Sequence, residues 1–154
     1  MSIYICGFMG SGKTTLLKKI MKSTSQKGFD FDEEIEKRNS LDKGKLGEFI
    51  EEKGWPEFRK QEIELLKETL TDEEGVYALG GGTAIHPDFS KLIESHAHAK
   101  VLWLKTPVDI CWERAEQNSS RPLVKNGKEA FYKLFSEREK LYAKFEEIDE
   151  NSII

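Results

Sequence analysis

No eight residues constrain this chain more than Gly7-Phe8-Met9-Gly10-Ser11-Gly12-Lys13-Thr14, which satisfies G-x-x-x-x-G-K-[ST] at every fixed position. The pattern carries chemistry only where it joins a strand to a helix, and both flanks comply. Ile3-Tyr4-Ile5-Cys6 is a short apolar run of strand length, and Leu16, Leu17, Ile20 and Met21 recur at helical spacing. Glycines in such a loop let backbone N–H groups turn inward around phosphate oxygens, and the helix N-terminus adds the positive end of its dipole. Gly10, Ser11, Gly12, Lys13, Thr14 and Thr15 are therefore candidate nucleotide ligands. Lys13 is placed to bridge β- and γ-phosphates, and the Thr14 hydroxyl to ligate magnesium.

The same alternation of strand and helix runs through the rest of the chain. Phe29 and Phe31 alternate with Asp30 and Asp32 as in a short strand, and a helix is expected from near Glu33. A charged turn at Lys43-Gly44-Lys45 leads to a helix over Leu46 to Lys53, and Pro56 sits where another starts, with Phe58, Ile63, Leu66 and Leu70 as its apolar stripe. Strands are expected at Val76 to Leu79 and Val101 to Leu104, with a helix at Asp88 to Glu94 between them. Thr106-Pro107-Val108-Asp109 reads as an N-cap Thr with Pro at the first helical position, opening a helix to about Gln117. Asn118 to Lys128 is a polar loop, followed by a long amphipathic helix carrying Phe131, Leu134, Phe135, Leu141, Tyr142 and Phe145. Ser152-Ile153-Ile154 is expected as a last edge of sheet.

That pattern predicts a P-loop NTPase-type three-layer α/β domain, with a mainly parallel central sheet flanked by helices. Its 154 residues suit one domain spanning 1–154. Ligands of such sheets bind at the carboxyl ends of the strands, where every glycine-rich or Asp-bearing feature here lies. Asp30 and Asp32 can project toward one crevice, one toward magnesium and one toward an acceptor hydroxyl, although Asp32 could equally serve as a helix N-cap. Gly80-Gly81-Gly82 is either a tight turn or a place where a substrate approaches bare backbone, and the run of three favours the latter.

Charge and cysteine usage narrow the partners. A formal net charge of -4 gives no basic footprint for nucleic acid or anionic lipid. No apolar stretch approaches the length of a membrane span, and Cys6 and Cys111 lack metal or CxxC spacing, so a cytoplasmic protein with reduced thiols is expected. Cys6 reads as a buried filler rather than a nucleophile, and His86, His96 and His98 as ordinary surface residues. Of 24 basic residues only five are Arg, namely Arg38, Arg59, Arg114, Arg121 and Arg138.

Together, Gly-Phe-Met-Gly-Ser-Gly-Lys-Thr, Phe29-Asp30-Phe31-Asp32-Glu33, Phe58-Arg59 with Glu62, Ala78-Leu79-Gly80-Gly81-Gly82, Arg121-Pro122-Leu123 and Arg138 before Tyr142 resemble the shikimate kinase family from Ile3 to about Phe145. The resemblance implies transfer of the ATP γ-phosphoryl group to the 3-hydroxyl of shikimate, with Mg2+, in aromatic amino-acid biosynthesis. It implies Asp30 near the metal and Asp32 on the reacting hydroxyl as base. Arg59 and Arg138 then grip the shikimate carboxylate, and the Gly80 to Gly82 backbone, Gly81 above all, faces the ring hydroxyls. It also implies Arg121 approaching the transferring phosphate and Arg114 against adenine, an acceptor-binding segment over about 30–62 and a mobile lid over about 118–128. The expected partners are ATP and shikimate alone, with the chain a monomer.

The chain departs from the family at Phe31, at Trp55-Pro56 and at Tyr77, and it ends at Ile154, where the family continues with a strand, an adenine-contacting loop and a terminal helix. A less complete adenine side is therefore expected. The alternatives are a related small-molecule kinase for an acceptor such as gluconate, and a nucleotide-binding but inactive regulator.

Overall fold

The computed structural model describes residues 1–117 and 122–149. Its sheet is all parallel, in the order β2-β3-β1-β4-β5. The strands are β1 (Ser2–Cys6), β2 (Gly28–Asp30), β3 (Gly75–Ala78), β4 (Ala99–Leu104) and β5 (Glu146–Ile148). β1 lies between β3 and β4, with Ile5 opposite Ala78 on one side and Leu102 on the other. Chain order reverses beside β1, which creates a crevice at the carboxyl ends of β1 and β3.

Strand alternation separates two cores. Ile5, Val76, Ala78 and Leu104 face α1 (Lys13–Thr24), which covers them with Leu16, Leu17 and Ile20. Tyr4, Cys6, Tyr77, Leu79 and Trp103 face the other layer, built largely from α2 (Phe31–Arg38), α3 (Leu46–Lys53) and α4 (Trp55–Leu70). α5 (Phe89–Glu94), α6 (Val108–Glu116), α7 (Pro122–Lys125) and α8 (Lys128–Tyr142) complete the helices. This larger layer is aromatic. Tyr77 stacks on Tyr4 with centroids 5.2 Å apart and meets the edge of Phe29 at 5.0 Å, so an unusual residue for its position is absorbed by its neighbours. Phe31 is fully buried beside them.

Several expectations change at element ends. The helix after β2 begins at Phe31, and its N-cap is Asp30, whose side chain accepts from the Glu33 N–H at 3.1 Å; Asp32 lies in the first turn instead of at the N-cap. Thr106 does not cap α6. Pro107 holds the N-cap position, and the Thr106 hydroxyl instead donates to the Ser11 carbonyl at 2.8 Å, tying the phosphate loop to β4's exit. The segment 118–128 is not all loop, because Pro122–Lys125 forms a turn of helix and α8 begins at Lys128. Pro56 falls in the first turn of α4, where its missing N–H costs no hydrogen bond and bends nothing.

The last described strand, β5, went unanticipated. Two exposed Glu residues hide it from an apolar pattern, yet Glu146 pairs with Leu102 and its carboxylate meets Lys100 at 3.0 Å, the charge protection of an edge strand. Ser152 to Ile154, where an edge was expected, lie outside the described residues.

Where β2 meets β3 there is no room for a side chain at Gly28, since a Cβ there would stand 1.7 Å from the Val76 carbonyl oxygen. Gly28→Ala must push β2 off β3, and chemical denaturation is expected to show a loss of about 3 kcal/mol. An unchanged midpoint would show that the β2–β3 contact is not as tight as described.

Candidate active site

The phosphate loop leaves β1 and closes on α1. Gly10 and Gly12 take positive φ of 81° and 98°, a conformation that side chains resist, and a Cβ at Gly10 would also fall 2.4 Å from the Cys111 carbonyl oxygen of α6. No acidic residue occupies the first turn of α1 itself, which leaves its positive end to groups brought from elsewhere in the fold. Lys13 lies along the loop, its Nζ donating to the carbonyls of Gly7 at 2.6 Å and Phe8 at 3.2 Å. The Thr14 hydroxyl donates to Asp30 Oδ2 at 2.7 Å, so β2 brings one carboxylate to the mouth of the loop.

Gly80-Gly81-Gly82 follows β3, level with the phosphate loop. None of the three has positive φ, so here glycine serves space rather than conformation. A Cβ at Gly82 would fall 2.4 Å from Arg59 Nη2, and one at Gly81 3.2 Å from Arg138 Nη1. At Gly80 it would fall 2.8 Å from Glu62 Oε2 and 2.9 Å from Asp32 Oδ1. The sequence suggests bare backbone that a substrate approaches; the groups found this close are the protein's own charged side chains.

The two guanidinium groups are supported differently. Arg59, one turn into α4, lies 4.9 Å from the Trp55 ring centroid and 5.4 Å from Phe58, and pairs with Glu62 Oε1 at 2.5 Å. Glu62 is buried, and its other oxygen accepts from the Thr83 hydroxyl, so the carboxylate is fixed at both ends. Arg138 of α8 is buried over the Phe8 ring at 5.7 Å. Burial holds its pKa below the ordinary guanidinium value, with the Arg59 charge acting in the same direction and Tyr142 and Glu62 opposing. Its Nε has no hydrogen-bond partner. Two cations meeting at one backbone loop, one of them incompletely satisfied, suit an anionic guest.

One cavity of about 430 Å³ joins these parts. It is lined by the phosphate loop from Met9 to Thr15, by Asp30, Asp32, Arg59, Gly81, Gly82 and Arg138, and by Arg114, whose Nη1 donates to the Gly10 carbonyl at 3.3 Å. Gly80 lies beside Asp32 and Glu62 rather than on the lining. Arg121 lies outside the described residues. Glu62, Thr83 and Tyr142 hold no place in the site expected from sequence, where Tyr142 belongs to the apolar stripe of the last helix; Glu62 and Tyr142 stand three and four residues after Arg59 and Arg138, the spacing that shares a helix face.

A phosphate loop continuous with a cavity bearing the guanidiniums of Arg59, Arg114 and Arg138 and the carboxylates of Asp30 and Asp32 defines a small-molecule P-loop kinase. The family model described as shikimate kinase matches residues 9–152, and the chain belongs to the shikimate kinase family. The shikimate kinase of Persephonella marina is 33% identical over 142 residues, covering 92% of this chain and 84% of that one. The bifunctional shikimate kinase/3-dehydroquinate synthase of Thermotoga maritima is 36% identical over 149 residues, which is 97% of this chain and 29% of that protein. The solved structure of the Acinetobacter baumannii shikimate kinase in complex with shikimate has a TM-score of 0.85 at 28% identity, covering 97% of this chain and 83% of that one. A gluconokinase from Sinorhizobium meliloti shares the fold alone, at 15% identity and a TM-score of 0.55 over 96% of this chain and 81% of that one.

Cys6 and Cys111 are buried thiols, neither of them in a disulfide. Burial pushes the Cys6 thiol from 9.0 up to about 12, against an opposing pull from Lys13. The neutral thiol is the favoured form throughout the neutral range, and its thiolate fraction near pH 8 falls roughly 1,000-fold relative to an exposed cysteine. Iodoacetamide is therefore expected to label native Cys6 at least about 100-fold more slowly than the unfolded chain; equal rates would show that the thiol is neither shielded nor neutral.

Proposed function

We propose that this chain is an ATP-dependent shikimate kinase whose acceptor site is built on Asp32, Arg59, Arg138 and the Gly80 to Gly82 backbone. The observation that carries the assignment of roles is the pair of guanidiniums converging on Gly81 and Gly82 in the cavity that also holds the phosphate loop. Guanidinium forks match a planar carboxylate in two parallel hydrogen bonds, and Arg59 is already oriented by Glu62 and Trp55. With the carboxylate so held, an acceptor hydroxyl falls between Asp32 and the γ-phosphate held by Lys13 and the Gly10 to Thr15 backbone.

In the transfer, the acceptor oxygen bonds to the γ-phosphorus while the bond from phosphorus to the β,γ-bridging oxygen breaks, releasing ADP; the acceptor proton passes to Asp32. Asp32 is half-buried, with its Oδ1 beside Gly80 and near Glu62. Thr14 and Asp30 would hold magnesium. Their oxygens are 2.7 Å apart at the mouth of the phosphate loop, two hard oxygen donors for an ion that completes its shell with phosphate and water. When bound, magnesium neutralises charge on the β- and γ-phosphates.

Arg121 and the segment 118–128 complete the reading as a lid over the phosphates, and Arg114 as the group against adenine. Lys125 of α7 pairs with Glu51 of α3 at 2.8 Å, which joins the described part of that segment to the acceptor side. The reading takes residues 1–154 as one kinase domain, with the acceptor segment over about 30–62. It is also of a cytoplasmic monomer whose partners are ATP and shikimate, in keeping with a net charge of -4 and two buried thiols. Among the described residues no helix is long and apolar enough to cross a membrane.

ADP release is expected with shikimate and magnesium and to be negligible with gluconate. Asp32→Asn should lower kcat by about 100- to 10,000-fold, whereas Arg59→Lys, which keeps the charge but loses the fork, should mainly raise the shikimate KM. Activity on gluconate alone would reverse the acceptor, and ATP binding without ADP formed from either would make the chain an inactive nucleotide binder.

A further inference from the structure

Tyr142 takes part in none of the steps above, yet its hydroxyl reaches a backbone carbonyl in each glycine loop. It ends α8, is buried, and packs its ring against Trp103 of β4 with centroids 6.1 Å apart. Its hydroxyl donates to the Gly81 carbonyl and lies 3.5 Å from the Gly7 carbonyl. The first belongs to the acceptor loop and the second to the phosphate loop. A tyrosine hydroxyl has one proton, so it can donate fully to only one of them at a time. Burial raises the Tyr142 pKa well above its ordinary value, with Arg138 pulling the other way, so that proton is retained across the working range of pH.

The Gly7 carbonyl has another donor. Lys13 Nζ sits 2.6 Å from it. While Lys13 rests on Gly7, the Tyr142 proton is committed to Gly81. When Lys13 is drawn to the β- and γ-phosphates, the carbonyl of buried Gly7 loses a charged donor, a loss that costs free energy unless another donor replaces it. Tyr142 is within reach to replace it, and doing so relaxes its hold on Gly81. Gly81 in turn lies against Arg138, where a Cβ would come within 3.2 Å of the guanidinium.

We propose that Tyr142 is a positioning residue that couples nucleotide binding to acceptor binding, by shifting its one hydroxyl proton between the Gly81 and Gly7 carbonyls as Lys13 leaves or regains Gly7. The inference rests on the kinase reading above and deepens it. No bond to the proton breaks, and only its acceptor changes. The consequence is thermodynamic: nucleotide alters the affinity for shikimate, and shikimate alters that for nucleotide by the same factor.

The test is calorimetric, on the full chain. The shikimate Kd is measured with and without saturating ADP and magnesium, in the unaltered chain and in Tyr142→Phe. The unaltered chain is expected to show a ratio of at least about fivefold, and Tyr142→Phe a ratio near one. A tyrosine that merely supported the fold would, on losing its hydroxyl, change both Kd values together and leave the ratio alone. An unchanged ratio in Tyr142→Phe, or a ratio of one in the unaltered chain, overturns the coupling role while leaving the kinase reading intact. Failure of the unaltered chain to bind shikimate overturns that reading and the inference with it. Should Tyr142→Phe fold poorly, the unaltered chain labelled at tyrosine Cζ supplies the answer: the Tyr142 resonance moves when ADP is added without shikimate, and an unmoved signal contradicts the proposal.

Discussion

β1 and β3 run in register and end level, with Ile5 paired to Ala78 and the Leu79 N–H donating to the Ile5 carbonyl at 2.9 Å. Two glycine loops therefore leave the sheet side by side, one wrapping toward α1 and the other lying against α4 and α8. Everything chemical in the molecule depends on that adjacency. It places a helix N-terminus with no acidic residue in its first turn next to a stretch of backbone bare enough for two guanidiniums to approach, and makes one cavity of what would otherwise be two clefts. The remaining layers hold the loops in place: Thr106 ties Ser11 to the end of β4, Cys111's carbonyl abuts Gly10, and Tyr142 spans both loops from α8.

Keeping Arg59 and Arg138 together is costly, since like charges repel and burial strips their water. The chain offsets this with one buried acid and several aromatic faces. Glu62 neutralises Arg59 directly, while Trp55, Phe58 and Phe8 present ring faces to the guanidiniums. The lysines mostly carry exposed surface charge, such as Lys100 and Lys105 against the two Glu of β5, even where one lies over a ring as Lys105 does over Trp103. The imbalance of 19 Lys to five Arg thus follows a division of labour. Arg38, to which no site role falls, joins Glu34 and Glu68 at an exposed junction of α2 and α4.

Much of this was legible in the sequence, for physical reasons that also mark where legibility ends. The phosphate loop was readable because its chemistry depends on glycines and Lys13 at fixed spacing, and the buried strands because parallel sheets require apolar runs. Helix starts were read less well. Asp30 and Asp32 both suit an N-cap, and only the exit angle of β2, set by tertiary packing, decides for Asp30. β5 escaped because an edge strand under two glutamates has no apolar signature. Gly80 to Gly82 read locally as backbone open to a substrate, but not as the place where Arg59, Arg138, Asp32 and Glu62 converge, because those groups arrive from other helices. Helical spacing puts Glu62 beside Arg59 and Tyr142 beside Arg138, yet it is silent on Thr83 and Gly81, which their second contacts reach across the fold.

The central claim is that a carboxylate held by two guanidiniums positions an acceptor hydroxyl against the phosphate loop. It is tested most directly by comparing kcat/KM for shikimate with that for shikimate methyl ester, which keeps every hydroxyl and exchanges the negative charge for one methyl group. Loss of charge-assisted hydrogen bonds to both arginines should lower kcat/KM for the ester by about 100-fold or more. Equal values for acid and ester would mean that Arg59 and Arg138 do not hold the carboxylate.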